Sequence, residues 1–354
     1  MTRWPAEWER HDATWLAWPH HEPDWPGKFE PIRWVYAEIV RALAPHEPVH
    51  ILCHDEATEE QAWHCLQMHE VRKSRYHLHR CATDRVWLRD SAPTGVHADD
   101  GSVRLVNWEF NAWAKYDNFA HDRQVGAAIA KVTGLPRDEP KRPGAKGRVV
   151  LEGGGIETDG RGTLLVTEEW LLSKEQVRNQ GLGRANYEHL FAESLGISKT
   201  IWLGEGCVGD DTHGHVDDVA RFVAPGVVVL AHEEDPKDEN HARSLDNVQR
   251  LAKATDAHGE PIRTVTLPFP RAVVMDGARL PASYANFYIA NGVVLVPTFN
   301  DPKDRIALNT IADLFPDREV VGIHAVDLVW GLGTLHCLTQ QQPAERAKRG
   351  KGRA

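Results

Sequence analysis

Five candidate helices recur at nearly equal intervals along this 354-residue chain, and this periodicity narrows the choice of fold more than any other pattern. Their predicted starts lie near Ala57, Phe119, Arg184, His241 and Lys303. Successive starts are roughly 60 residues apart, a spacing typical of repeated structural units. Short β-branched runs, which favour strands, lie at residues 49–52, 103–106, 163–166, 227–230, 293–296 and 320–323. The sequence therefore predicts a mixed α/β chain of five units, each with one helix and a few strands.

Nothing in the sequence separates these units into domains. Residues 29–43 predict an additional helix that falls outside the repeat. The segment 136–147, rich in Pro, Lys and Arg, predicts a surface loop, and residues 148–151 predict a strand directly after it. We therefore expect one domain over residues 1–343, followed by a basic, disordered tail over residues 344–354.

Composition and charge exclude several classes of function. Hydrophobic residues make up 42% of the chain, which is enough for a sizeable core, and the formal net charge is -10. This acidity argues against a nucleic-acid partner and favours cationic ligands. No apolar run is long enough to span a membrane, and the first residues do not resemble a signal peptide. Five cysteines without a CxxC pair argue against a disulfide framework and a zinc ribbon, so we expect a cytoplasmic protein.

The cysteine in the segment 331–343 is the first candidate for chemistry. Cys337 follows a glycine-containing turn, which we place at the end of the last predicted strand. Residues at strand ends and loops carry chemistry more often than core residues do. A buried, inert cysteine is the alternative interpretation of this position.

Two further segments combine glycines with acidic residues. Asp90 follows an apolar run that predicts a strand, and it could either form the turn or direct a carboxylate towards a planar cation. The glycine run 153–155 lacks the Gly-Lys-Ser/Thr of a phosphate-binding loop. Glu152 at its start is either structural or part of a pocket wall, and residues 159–162 predict a hairpin turn.

The segment 210–222 suggests two kinds of site. If His215, Asp217 and Val219 lie on a strand, their alternation places a proton-transfer group and a carboxylate on one face. The competing interpretation is a metal site, because His213, His215 and Asp217 offer three ligands within five residues.

The chain resembles the agmatine deiminase family, the peptidyl-arginine-deiminase-like branch of the guanidine-modifying pentein enzymes. The resemblance covers nearly the whole chain except the basic tail. It is carried by residues 5–8 (PAEW), 14–19 (TWLAWP), 87–90 (WLRD), 152–154 (EGG), 162–165 (GTLL), 214–217 (GHVD), 220–222 (ARF), 286–291 (NFYIAN) and 336–343 (HCLTQQQP).

This resemblance implies a pentein α/β-propeller, with five ββαβ-type units around a pseudo-fivefold axis and the active site at the centre. It implies that Cys337 is the nucleophile, that Asp90 and Asp217 bind the guanidinium, and that His215 transfers protons. The product of agmatine would be N-carbamoylputrescine, formed with ammonia through a thiouronium intermediate for putrescine biosynthesis. No metal or organic cofactor is implied, and a homodimer is a candidate assembly.

The choice of substrate is the open question. The partner implied is a small cationic guanidino compound, with no nucleic acid and no membrane. An agmatine pocket should present acidic or aromatic groups to the ammonium, here Asp211, Trp87 and Trp113, and should lack an arginine. The alternatives are a deiminase of arginine or peptidyl-arginine that forms citrulline, a metal-dependent amidohydrolase, and a binding protein without turnover.

Several residues depart from the family pattern near the expected pocket. Residues 111–116 lack a glycine pair, and Leu332 stands in a segment that is usually richer in glycine. Ser91-Ala92 replaces Thr-Gly, while Glu157 and Trp170 replace a histidine and a cysteine that many members carry. None of these departures removes a proposed catalytic group.

Overall fold

The computed structural model describes residues 2–346, which form small sheets connected by helices. The strands are β1 (His11–Ala17), β2 (Val49–Cys53), β3 (Tyr76–Arg80), β4 (Thr94–His97), β5 (Val103–Val106), β6 (Arg137–Asp138), β7 (Glu157–Thr158), β8 (Thr163–Thr167), β9 (Lys199–Leu203), β10 (Ala220–Ala224), β11 (Val227–His232), β12 (Arg263–Pro268), β13 (Val274–Met275), β14 (Ala278–Arg279), β15 (Tyr288–Ile289), β16 (Val293–Thr298), β17 (Glu319–His324) and β18 (Gln340–Pro343). The helices are α1 (Phe29–Leu43), α2 (Glu56–Met68), α3 (Leu88–Ser91), α4 (Val125–Thr133), α5 (Glu168–Leu172), α6 (Arg184–Leu195), α7 (Glu239–Leu251), α8 (Lys303–Leu314) and α9 (Leu335–Leu338).

Four of the sheets share one plan. In each, the first strand is antiparallel to the second, and the second is parallel to the third; the sheets are β4-β5-β6, β7-β8-β9, β10-β11-β12 and β15-β16-β17. A parallel pair needs a crossover connection, which the intervening helices supply. The predicted ββαβ-type unit is therefore confirmed.

The fifth sheet joins the two ends of the described chain. Its order is β18-β1-β2-β3, and β18 pairs antiparallel with β1, with Trp15 opposite Gln340. Strands β1, β2 and β3 are parallel, so this unit needs two crossover helices, α1 and α2. The helix at residues 29–43, α1, falls outside the repeat because it is the additional crossover of this unit.

The predicted helices differ from the observed ones mainly at their first turns. Helices α6 and α8 begin at the predicted residues Arg184 and Lys303. Helix α4 begins later than Phe119, at Val125, because residues 122–124 first form a tighter 3-10 turn. Helix α1 spans the predicted residues 29–43, and its buried apolar side chains recur every three or four positions, which places them on one face.

The predicted loop and strand between residues 136 and 151 need correction. Strand β6 lies inside the predicted loop and pairs with β5. Residues 148–151 do not form a continuous strand, because their amides donate to different partners. Val149 donates to the carbonyl of Pro140, Val150 to the side chain of Asn179, and Leu151 to the carbonyl of Glu109. The hairpin turn predicted at 159–162 is confirmed, since it connects the antiparallel strands β7 and β8.

A short turn precedes the first strand of every unit, and these five turns, here called the hub turns, lie next to one another. They are α3 before β4, Gly153–Gly155 before β7, Val216–Asp218 before β10, residues 283–286 before β15, and α9 before β18. Asn286 connects two of its neighbours, because its amide donates to Asp218 Oδ1 at 3.0 Å and to Cys337 Sγ at 3.1 Å. The topology therefore brings residues far apart in sequence to one centre.

The predicted domain boundaries stay predictions. Of the tail, the structure describes residues 344–346, where the amide of Ala344 donates to the carbonyl of Arg10 and that of Arg346 to the carbonyl of Gly101. Residues 347–354, and with them most of the predicted disordered tail, lie outside the described residues. Within residues 2–346 every helix is too short or too polar to cross a bilayer.

Candidate active site

A cavity of about 460 Å³ opens beside the hub turns, within the size range of small-molecule sites. Two of the predicted catalytic residues, Asp90 and Cys337, line it. The predicted substrate-binding residues Trp87, Trp113 and Asp211 line it as well. The structure thus brings together residues from three separate units of the propeller.

Cys337 lies in α9, before the last strand rather than at the end of a strand as predicted. The helical turn directs its buried thiol towards Asp217, whose Oδ2 lies 3.8 Å from Sγ. Burial, together with the nearby charges of Asp217, Asp218 and Asp90, raises the pKa of the Cys337 thiol well above its ordinary value. A cation entering the site would reverse that effect and favour the thiolate.

His215 does not lie on a strand; it precedes the 3-10 turn Val216–Asp218. This turn, rather than strand alternation, brings His215 and Asp217 close to each other. The ring of His215 lies between two carboxylates, with Nδ1 3.8 Å from Asp90 Oδ1 and Nε2 3.6 Å from Glu152 Oε2. Burial alone would lower the pKa of His215, but the charges of Asp90, Glu152 and Asp217 outweigh it and raise this pKa to about 9. The imidazole is therefore cationic at neutral pH.

Asp90 lies in the short helix α3, not after a strand as predicted. Its Oδ1 accepts the backbone amide of Gly154 at 3.0 Å, and its Oδ2 accepts the indole Nε1–H of Trp113 at 2.9 Å. Burial, opposed by His215, raises the pKa of Asp90 to about 6. The carboxylate is ionised at neutral pH and fixed in orientation before any ligand binds.

Asp217 presents an unpaired oxygen. Its Oδ2 lies 2.7 Å from Nδ1 of His336, whereas Oδ1 is buried without a hydrogen-bond partner among residues 2–346. Burial would raise the pKa of Asp217, but the hydrogen bond and charge of His336 hold it below its ordinary value. A buried acceptor without a donor is costly, which is consistent with a site built for a guanidinium N–H.

Glu152, which sequence alone left open, supports His215. Arg178 Nε donates to its Oε1 at 2.9 Å, and the indole of Trp170 donates to its Oε2 at 2.8 Å. Burial would raise the pKa of Glu152, but Arg178 and His215 lower it to about 2. The permanently ionised carboxylate keeps the imidazole of His215 cationic and fixes its position.

Three residues of the site were not identified from sequence: His336, Asp218 and Asn286. The side-chain oxygen of Asn286 accepts the hydroxyl of Thr334 at 2.8 Å and the amide of His336 at 3.0 Å, so its amide group must face Cys337. Burial and neighbouring acids raise the pKa of Asp218 well above its ordinary value. The sequence signals were that His336 and Asp218 adjoin Cys337 and Asp217, and that Asn286 begins the quoted motif at residues 286–291.

The three predicted metal ligands, His213, His215 and Asp217, do not converge in the structure. His213 contacts Ser173, with 2.9 Å between Nε2 and Oγ, and does not converge with His215 and Asp217. Its φ of 65° turns the chain away from a strand, so the assumed alternation fails. Within residues 2–346, the ligand atoms close enough to share an ion belong to Asp217, Asp218 and Cys337. That set includes the thiol of Cys337.

The cavity contains an arginine, contrary to the expectation for an agmatine pocket. Arg85 lines it and forms an ion pair with Asp24. The predicted ammonium acceptor Asp211 is also engaged, because Lys115 and the hydroxyl of Tyr116 donate to its two oxygens. Sequence reasoning missed Arg85 and Asp24 because each lies far from Cys337 along the chain.

The residues that replace glycine near the pocket adopt left-handed backbone conformations. Ala112, Trp113 and Ala114 have φ values of 49°, 59° and 55°, and Leu332 has a φ of 72°. This conformation costs a non-glycine residue about 1–2 kcal/mol. The turn at 112–114 directs the indole of Trp113 onto Asp90, so the strained backbone helps to position a cavity wall.

Known proteins resemble this chain over nearly its whole length. The sequence model of the Porphyromonas-type peptidyl-arginine deiminase family matches residues 3–343. The agmatine deiminase of Pseudomonas fluorescens (strain SBW25) is 36% identical over 363 residues, covering 96% of this chain and 95% of the relative. A solved agmatine deiminase of Enterococcus faecalis has a TM-score of 0.89 at 31% identity, covering 98% of this chain and 96% of that chain.

A second solved structure widens the range of related activities. A Porphyromonas gingivalis protein, provisionally named an arginine deiminase, has a TM-score of 0.85 at 34% identity, covering 97% of this chain and 98% of that chain. These likenesses confirm both the resemblance found in the sequence and the pentein propeller fold.

Proposed function

The chain belongs to the Porphyromonas-type peptidyl-arginine deiminase family, and from this we propose that it is an agmatine deiminase with Cys337 as its nucleophile. The observation that carries the proposal is the arrangement around Cys337. Its thiol lies beside Asp217, which has a free carboxylate oxygen, and shares the cavity with Asp90. Two ionised carboxylates can bind the planar fork of a guanidinium and present its carbon to sulfur.

The first half-reaction exchanges nitrogen for sulfur. The bound guanidinium lowers the pKa of Cys337, and the thiolate forms a bond from Sγ to the guanidinium carbon. His215, cationic in the free site, donates its proton to the departing nitrogen. The carbon–nitrogen bond breaks, ammonia leaves, and a thiouronium remains attached to Cys337.

The second half-reaction consumes water. His215, now neutral, removes a proton from a water molecule that attacks the thiouronium carbon. The carbon–sulfur bond breaks, the thiolate is restored, and the ureido product, N-carbamoylputrescine from agmatine, is released. We place this reaction in putrescine biosynthesis in the cytoplasm, where a reducing environment keeps the catalytic thiol reduced.

Deimination of arginine to citrulline is the second candidate. Arg85 in the cavity favours it, because a guanidinium can bind the carboxylate that agmatine lacks. The provisional name of the Porphyromonas gingivalis relative points in the same direction. We retain agmatine as the first choice because the matching curated relatives are named agmatine deiminases.

Ammonia release from agmatine and from arginine, measured side by side, tests the proposal. We expect the wild-type protein to turn over agmatine and the variant Cys337→Ser to lose at least about a thousandfold in kcat. Turnover of arginine instead would retain the mechanism and change the substrate. Undiminished activity of Cys337→Ser would contradict the assigned nucleophile.

A further inference from the structure

Besides Asp90, two acids line the cavity, Asp24 and Asp211, and of these two Asp24 has an oxygen without a hydrogen-bond partner among the described residues. Both oxygens of Asp211 are occupied, one by Lys115 Nζ and the other by Tyr116 Oη at 2.7 Å. The ammonium of Lys115 already compensates the charge of Asp211 and would repel a second ammonium at the same carboxylate. Asp211 is therefore a poor acceptor for the far end of the substrate.

Asp24, unlike Asp211, has one oxygen that accepts no hydrogen bond from the described residues. Its side chain is 4% exposed and lines the cavity, and its Oδ1 is engaged by Arg85. His21 Nε2 lies 3.9 Å from the same oxygen. Its Oδ2 is buried without a hydrogen-bond partner in the described part of the chain. Such an oxygen is costly in a folded protein unless a ligand supplies the donor.

The position of Asp24 is fixed before a ligand binds. It ends the 3-10 turn Glu22–Asp24, and the next residue, Trp25, is fully buried with its indole donating to the carbonyl of Leu328 at 2.9 Å. Arg85 is held in turn by stacking on Tyr116, with 4.3 Å from its guanidinium carbon to the ring centroid. Asp24 is therefore anchored through Trp25, and its partner Arg85 through Tyr116.

We propose that Asp24, rather than Asp211, binds the terminal ammonium of the substrate through its free Oδ2. The proposal rests on the proposed deiminase function and assigns the residue that selects the substrate class, namely alkylguanidines whose other end is a cation. The catalytic carboxylates Asp90 and Asp217 would bind one end of the dication, and Asp24 the other. Arg85 keeps Asp24 in place and leaves one of its oxygens available.

The electrostatics of Asp24 support this role. Burial, reinforced by the charge of Asp211 and opposed by Arg85, raises the pKa of Asp24 to about 7. The charge of Arg85 therefore does not fully compensate for the burial of this carboxylate. A bound ammonium would supply the missing opposite charge and favour the ionised form.

The test compares agmatine with N-butylguanidine, which has the same chain length without the ammonium. We expect Asp24→Asn to lower kcat/KM for agmatine by about 10- to 100-fold, the loss expected for a hydrogen bond between charged groups. The same variant should change kcat/KM for N-butylguanidine by less than about twofold, because that substrate does not reach Asp24. Glu22→Gln, an exposed acid in the same turn, is the matched control and should alter neither value.

Each outcome decides the proposal. An unchanged ratio of the two kcat/KM values in Asp24→Asn would overturn it, and so would an equal loss for both substrates, which would indicate a structural role only. If the wild-type protein turns over neither compound, the deiminase function fails separately. Calorimetric titration of agmatine into Cys337→Ser, with and without Asp24→Asn, then decides whether Asp24 binds the ammonium, and equal affinities or no binding would reject it.

Discussion

At the scale of single residues, the site works by setting the charges of groups before the substrate arrives. Burial and neighbouring charges set the pKa of Asp90 at about 6 and that of His215 at about 9. At neutral pH Asp90 is therefore anionic and His215 cationic. This separation supports the proposed roles of Asp90 as a binding carboxylate and of His215 as the proton donor. Asp217 contributes a second anion, whose pKa is held low by His336.

Binding of a guanidinium should weaken in acid because Asp90 must be ionised. The raised pKa of Asp90 means that its carboxylate is lost as the pH falls through about 6. We expect the affinity of Cys337→Ser for N-butylguanidine to fall about tenfold per pH unit below that point. Calorimetric titrations between pH 5 and pH 8 measure this, and Asp90→Asn in the same background should bind weakly without that dependence. A constant affinity over this range would show that Asp90 does not bind the guanidinium.

At the scale of elements, the hub turns bring one segment of each repeated unit to the active site. The turn Gly153–Gly155 shows how tightly they pack. A Cβ at Gly154 would lie 2.6 Å from His215 Nδ1, 2.9 Å from Asp90 Oδ1 and 3.0 Å from Asp217 Oδ2. Glycine is needed here for close approach, since three functional side chains meet over its backbone.

Gly154→Ala should therefore damage catalysis more than folding. The added methyl group must displace His215, Asp90 or Asp217, and displacements of about 1 Å cost roughly a hundredfold in rate. We expect at least that loss in kcat/KM, measured by ammonia release, with the far-ultraviolet circular dichroism unchanged. Gly183→Ala is the control, because the nearest atom to its Cβ is Asn186 Oδ1 at 4.0 Å. Near-normal activity of Gly154→Ala would contradict the packing described for the hub turns.

At the scale of the whole molecule, one buried carboxylate connects several units behind the active site. Glu7 Oε1 accepts Arg221 at 2.8 Å and the amide of Ile289 at 2.9 Å, while its Oε2 contacts Arg89 at 3.1 Å and His336 at 2.8 Å. These partners belong to four different units of the propeller. Burial would raise the pKa of Glu7, but Arg221, His336 and Arg89 hold it well below its ordinary value.

Removing this charge should destabilise the propeller as a whole. In Glu7→Gln the buried guanidinium of Arg89 loses its carboxylate partner, whereas Arg221 keeps Glu157 at 2.9 Å, and an uncompensated buried charge costs about 3–5 kcal/mol. Urea denaturation should show a loss of that order in the free energy of unfolding. Glu30→Gln, which disrupts an exposed ion pair with Arg33, should change it by less than about 1 kcal/mol. Equal stability of the two variants would show that Glu7 does not hold the units together.

The sequence by itself determined the repeat and the family, and it proposed Cys337, His215, Asp90 and Asp217 as residues of the site. Helix periodicity and β-branched runs are local properties, so the helix at residues 29–43 and the main strands could be predicted. The conformations around the catalytic residues could not, because His215 and Asp90 lie in turns imposed by packing at the hub.

Only the tertiary structure decided which groups meet and which remain free. Asp24 and Arg85 enter the cavity, Glu7 connects four units, and Asp211 is occupied by Lys115 because of contacts between residues distant in sequence. Burial and neighbouring charge, which set every pKa in the site, depend on those contacts and have no local signature in the chain. The chemistry can therefore be predicted from residue identity, whereas the selection of the substrate depends on the fold.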